Sequence, residues 1–217
     1  MIKYYPVLND IMLGAEFIAA VVALVHWAKV NNTYWIWFVF YLWIIALQDL
    51  YGNYFPSLFP FRKQDYYAYF GIPVQYLFFY WLYAYKSLRK KQLFFFCAIL
   101  YLSSFVPLRI LNQKIATLYS INLDIGSIIL ILLVILEFLK QIKNDNILRF
   151  KENKMFYINA GVILGYIGTF PFFAFYQELL KEPYIPIWNI YYLYFLLSNI
   201  IMYLLFALSF ICGKHQS

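Results

Sequence analysis

Glu16, Asp49, Arg109, Asp124 and Glu178 interrupt stretches otherwise built of Leu, Ile, Val, Phe and Tyr. An ionisable group inside a long apolar run is costly and is a functional candidate by default. Two chemistries fit these five side chains. They can line a polar pocket that binds a small ligand, a lipid headgroup or a peptide. They can equally fix helix register as a buried ion pair, Arg109 with Asp124 as the first pairing and with Glu16 as the second. The sequence leaves both open.

Other chemistries find less support. His26 and His215 are the two histidines, and Cys97 and Cys212 the two cysteines. Their number and spacing exclude a multi-histidine or Cys/His metal site. There is no Walker loop, nucleophile elbow, zinc-protease helix or dinucleotide fingerprint, so no cofactor is implied. A lipid-modifying enzyme would have Glu16 and Asp124 as its nearest pair of acid–base groups.

The elements that must position these residues follow from composition. Hydrophobic residues make up 65% of the 217 positions and charged residues 12%, against about 25% charged in an ordinary soluble domain. The apolar residues form runs of about 20, the length that spans a bilayer as a helix. The stretch from Ile125 to Leu136 shows no alternation, which excludes barrel strands. The expected fold is all-α: a polytopic bundle of seven membrane helices at 11–30, 33–52, 66–85, 92–111, 117–139, 155–178 and 187–211. The longest connections, 53–65 and 140–154, are too short for a separate soluble domain, so one transmembrane domain is expected over 1–217. The first apolar run lacks a basic leader segment and reads as a retained helix.

Orientation follows from Lys and Arg. With seven crossings, Lys29, Lys86, Arg89, Lys90, Lys91, Lys140, Lys143, Arg149, Lys151, Lys154 and Lys214 share one face. Lys3, Arg62, Lys63, Arg109, Lys114 and Lys181 share the other. The richer face is cytoplasmic, which puts the N-terminus outside and the C-terminus inside, as in a multi-pass inner-membrane protein. The net charge of +7 then reports anchoring to membrane lipids and not nucleic-acid binding. The five ionisable residues all fall in the outer half. Glu16 and Asp124 are expected about two turns in from the outer helix ends, at 1.5 Å per residue.

Helix six adds a packing signal. Gly161, Gly165 and Gly168 recur at helical spacing, and small residues let helix backbones approach closely, within one fold or in a homo-oligomer. Pro73, Pro107 and Pro171 are expected to kink helices three, four and six. Helix seven contains no lysine, so a retinal Schiff base in the usual rhodopsin position is excluded.

The stretch from Phe156 to Phe170, with Asn159, Gly161, Gly165, Gly168 and Thr169, together with Trp188-Asn189-Ile190, Asn199 and the helix around Glu16, resembles small multi-span membrane proteins common in Bacteroidota. In that group one helix reads aromatic-x-x-x-Gly-x-x-x-Tyr-x-x-Gly-Thr, and the last opens near a Trp-x-x-x-Asn segment. Their genes often stand beside those of sensor histidine kinases, so the resemblance implies a signalling role and a kinase or other membrane partner. It carries no catalytic residue. The leading expectation is a membrane sensor or signalling accessory module, without enzymatic activity, acting on a partner through basic cytoplasmic loops. A lipid-modifying enzyme, a small transporter or channel, and an assembly subunit are the alternatives.

Overall fold

Why each helix begins where it does can be read from its first turn. Helix α1 (Tyr5–Val25) carries Pro6 there and α7 (Ile185–Cys212) carries Pro186. A missing N–H costs nothing at that position. Helix α6 (Lys154–Ala174) is opened by Asn153, whose side chain accepts a hydrogen bond from the Met155 N–H at 3.0 Å, an N-cap contact. The computed structural model describes residues 4–55, 63–105, 115–143 and 150–213. Among these, every regular element is helical. The remaining long elements are α2 (Ile36–Tyr54), α3 (63–87), α4 (Lys91–Ser103) and α5 (Ile115–Lys143).

Four segments are long and apolar enough to cross a membrane: Tyr5–Val25, Asn122–Lys143, Lys154–Ala174 and Glu182–Cys212. Helix α4 is apolar but shorter. Helix α2 has comparable length but carries Gln48, Asp49 and Asn53 in its last two turns. The protein is therefore an all-α membrane protein.

The first helix starts six residues before the expected 11, because Asn9 and Asp10 lie within it and not before it. Glu16 consequently sits eleven residues after Tyr5, about 16 Å along the axis. That is near the middle of the helix and deeper than the sequence suggested.

Helix α6 is irregular at a defined place. It runs as an α-helix over Lys154–Val162, widens to a π turn over Ile163–Ile167, breaks at Gly168 and Thr169, and restarts at Phe170. Pro171 cannot donate to the carbonyl four residues back, so the preceding turn reorganises. The Gly168 N–H instead reaches Ile163 O at 2.6 Å, and the Thr169 hydroxyl donates to Gly165 O. The expected kink thus falls before the proline, which occupies the first turn of the restarted helix. Pro73 stands in the same relation to the π turn Tyr67–Gly71 of α3. Pro107 lies outside the described residues.

The chain gathers into two compact units, residues 1–50 with 141–217, and residues 51–140. In the first, α1 runs alongside α7 with Ala15, Ala19, Ala20 and Ala23 buried. The two helices are parallel: Tyr5 donates to Asn189 Oδ1 at 2.9 Å, and farther along Glu16 meets Tyr203. Helix α2 returns antiparallel to α1, through Phe17 against Trp43 and Trp27 against Phe40. It stacks Phe38 on Phe210. Helix α6 crosses α7 through its glycines. A Cβ at Gly161 would lie 2.8 Å from the Phe206 ring and 3.2 Å from Met202 O, one at Gly165 would collide with Met202 Sδ, and one at Gly168 with the Tyr194 hydroxyl.

In the second unit a layer of buried tyrosines joins three helices. The Tyr76 hydroxyl lies 2.8 Å from Ser127 Oγ, and Tyr80 donates to Gly126 O at 2.9 Å. Tyr101 of α4 packs on both rings. Gly126 makes room: a Cβ there would stand 2.6 Å from the Tyr76 ring.

Candidate functional site

Parallel α1 and α7, with α2 and α6 beside them, bring polar side chains from four helices to one place. Glu16 of α1 is 1% exposed. Asp49 on α2 and Tyr203 on α7 are its electrostatic neighbours. Tyr166, on the π turn of α6, lies close enough to feel both carboxyl groups, and its hydroxyl stands 3.2 Å from that of Tyr41 on α2. Tyr203 feels the same carboxyls and both of those tyrosines. The π turn matters here because a widened turn changes which residues share a helix face, and Tyr166 stands on it.

The chemistry of this cluster is set by its donors and acceptors. An ionised carboxyl group only accepts hydrogen bonds. Two such groups in contact therefore have no bond to make unless a proton or a cation lies between them. Glu16 Oε2 is fully buried and has no hydrogen-bond donor among the described residues. Among the described residues, the groups acting on Glu16 are a carboxyl and hydroxyls, with no basic side chain among them.

The other sequence candidates have different surroundings. Asp124 is half-buried, and its Oδ1 has no hydrogen-bond partner among the described residues. Arg109 lies outside the described residues, and its pairing with Asp124 or Glu16 with it. Glu178 is exposed and engages Lys181 three residues on. Among the described candidates, Asp49 is an electrostatic neighbour of Glu16.

Two buried groups escaped the sequence reading. Glu137 on α5 is 1% exposed. It accepts from Ser87 Oγ at 2.6 Å and lies 3.7 Å from Lys140 Nζ, which itself donates to Ser87 O and Oγ at 2.9 Å. The i, i+3 spacing of Glu137 and Lys140 was the available signal. Lys154 was read as a loop charge but is 6% exposed. Its Nζ lies 5.6 Å from the Trp35 ring centroid and 5.5 Å from that of Phe210, a cation–π clamp.

No protein-family model matches the chain, and neither the curated proteins nor the solved structures yield a match.

Proposed function

We propose that this protein is a seven-crossing inner-membrane sensor or signalling accessory module, with its N-terminus outside and its C-terminus in the cytoplasm. Its polar site is centred on Glu16 and Asp49, and it acts on a membrane partner through basic cytoplasmic loops. A sensor histidine kinase is the partner that the resemblance to the Bacteroidota proteins suggests, and a homo-oligomer is compatible with the same scheme. The observation that carries the reading is a buried carboxyl group, Glu16, at mid-length of a membrane helix, with the acid Asp49 and tyrosines of three other helices as its electrostatic neighbours. Such groups are costly in a bilayer and mark sites of function.

Topology has its own support. Parallel α1 and α7 require an odd number of crossings from the first to the last. The end of the first unit that carries the Lys154 clamp is the end assigned to the cytoplasm by loop charge. The route from site to partner runs along α6. Tyr166 is an electrostatic neighbour of the polar cluster, Lys154 opens the same helix, and Lys151 stands just before it. A change at the carboxyls that re-sets the π turn would shift the basic end, which is the two-state element a sensor needs.

Two experiments test this. Cysteine labelling at Ser57 and Gln216 in intact cells should mark Ser57 from outside and leave Gln216 protected, and the reverse pattern refutes the orientation. Photo-cross-linking from Lys90 and Lys151 in cells should capture a membrane partner, with a yield that changes in Glu16→Gln. Capture unaffected by the substitution would remove the link between site and partner.

A transporter is the second reading, favoured by the contribution of four helices to one buried polar cluster. Ion flux in reconstituted vesicles that is lost in Glu16→Gln would select it over the sensor.

A further inference from the structure

We propose that Lys154, held between the rings of Trp35 and Phe210, binds one phosphate oxyanion at the boundary where two membrane spans end. The proposal stands on the Lys154 clamp and not on the Glu16 cluster, so neither fails with the other.

Burial comes first. Lys154 is 6% exposed, and a lysine is almost never covered to that extent without a charged partner. Its covering is aromatic. Nζ lies 5.6 Å from the Trp35 ring centroid and 5.5 Å from that of Phe210, and both rings are themselves buried. The stem is held from a third side. A Cβ at Gly213 would collide with Lys154 Cγ and with Ser209 O, so only a glycine lets the lysine cross the end of α7. A lysine that merely snorkels leaves its head open to water. Exposed Lys29 fits that description and Lys154 does not.

The clamp lacks an acceptor. Ring faces attract a cation but offer no oxygen to the three N–H groups of an ammonium. Among the described residues, Lys154 Nζ makes no ion pair and no hydrogen bond. The charged group that acts on it is a second ammonium, Lys29 of the short helix Trp27–Val30. Lys154 also opens α6, where the helix dipole opposes a cation and favours an anion. Burial, like charge and dipole thus ask for the same thing.

Position selects the class of anion. Lys154 is the first residue of one span, and Phe210 lies in the last turn of another. Span ends lie at the level of the lipid headgroups. The abundant anion there is phosphate, which lysine binds as a compact charge. A free phosphate ion presents the same oxygens, and the experiment separates the two sources.

The test uses the purified full-length protein in a maltoside detergent, which contains no phosphate. Native mass spectrometry reads retention of phosphatidylglycerol, and melting temperature reads its effect. Diacylglycerol is the lipid without phosphate. The wild type should retain phosphatidylglycerol and melt at a higher temperature with it, and diacylglycerol should do neither. Lys154→Met should weaken retention about tenfold or more. Lys29→Gln should weaken it about twofold. Lys90→Gln removes the same charge from the other unit and should leave retention unchanged. If inorganic phosphate displaces the lipid and raises the melting temperature by itself, the site takes free phosphate as well; if it does neither, the phosphate is the lipid's. Equal retention of phosphatidylglycerol and diacylglycerol would overturn the proposal. So would a Lys154→Met variant that retains the lipid like the wild type, and a fixed acid, for which Asp145 is the sequence candidate, would replace it. Should Lys154→Met not fold, Lys29→Gln and Lys90→Gln carry the comparison, and equal retention by these two would count as refutation.

Discussion

Glu16 and Glu137 are each 1% exposed, each on a helix with a span long enough to cross a membrane, yet their surroundings are opposite. Glu137 has a hydroxyl donor at 2.6 Å and an ammonium group at 3.7 Å. That ammonium also ties down the last residue of the π turn that ends α3. Every group there supplies what its neighbour needs, and the cluster fastens α3 to α5. Glu16 faces another acid and has an oxygen without a donor. Burial alone therefore does not mark a working site. What separates the two, among the described residues, is whether a basic side chain stands beside the acid.

That comparison can be broken at either end. The largest effect is expected where compensation is still to be established. If Arg109 compensates Asp124 as Lys140 compensates Glu137, Arg109→Met and Asp124→Leu should each cost about 3–5 kcal/mol, and the double change should cost less than their sum. Strict additivity in detergent melts would place Asp124 with Glu16 among the uncompensated acids. Next, Lys140→Met should strip Glu137 of its cation. Because the Lys140 side chain is 36% exposed, the loss should fall toward the lower end of that range, about 3 kcal/mol, read as a lower unfolding midpoint. A variant as stable as the wild type would mean that Ser87 alone satisfies Glu137.

A packing change sharpens the contrast without touching charge. Gly165→Leu places a side chain where Met202 already stands and should cost about 1–3 kcal/mol. Ile163→Leu keeps the volume and should cost less. Equal melting of the two would deny a glycine-mediated contact between α6 and α7. The smallest effect belongs to Tyr203→Phe, which removes one hydroxyl from Glu16 and should lower stability by about 0.5–1.5 kcal/mol. No change at all would show that this hydroxyl is not a partner of the carboxyl.

How much of this was legible in the sequence differs by feature. Helical class and membrane character were, because runs of Leu, Ile and Val at 125–136 admit no other spanning structure. Glu16 and Asp49 were legible as costly residues but not as a pair, since side-chain contact between helices is a tertiary fact. The first helix was expected from residue 11 but begins at Tyr5, and that difference placed Glu16 too close to the surface. The tyrosines were invisible for the opposite reason. With 23 of them in the chain, no single one stands out, and the π turn that carries Tyr166 depends on Pro171 acting at a distance along the helix. Glu137 lies within the expected helix 117–139, but its hydrogen bond to Ser87 of another helix is a tertiary fact that spacing does not show.

The most direct test of the difference between the two acids is to neutralise each in the same way and melt the variants side by side at alkaline pH in choline salt. Glu137→Gln should unfold at a lower temperature than the wild type, because it discards a compensated charge and leaves Lys140 without its anion. Glu16→Gln should unfold at the same temperature or a higher one, because it removes one of two opposed carboxyls and supplies an amide donor to Asp49. A Glu16→Gln variant destabilised as much as Glu137→Gln would contradict the account, since Glu16 would then have a fixed positive partner in the folded chain.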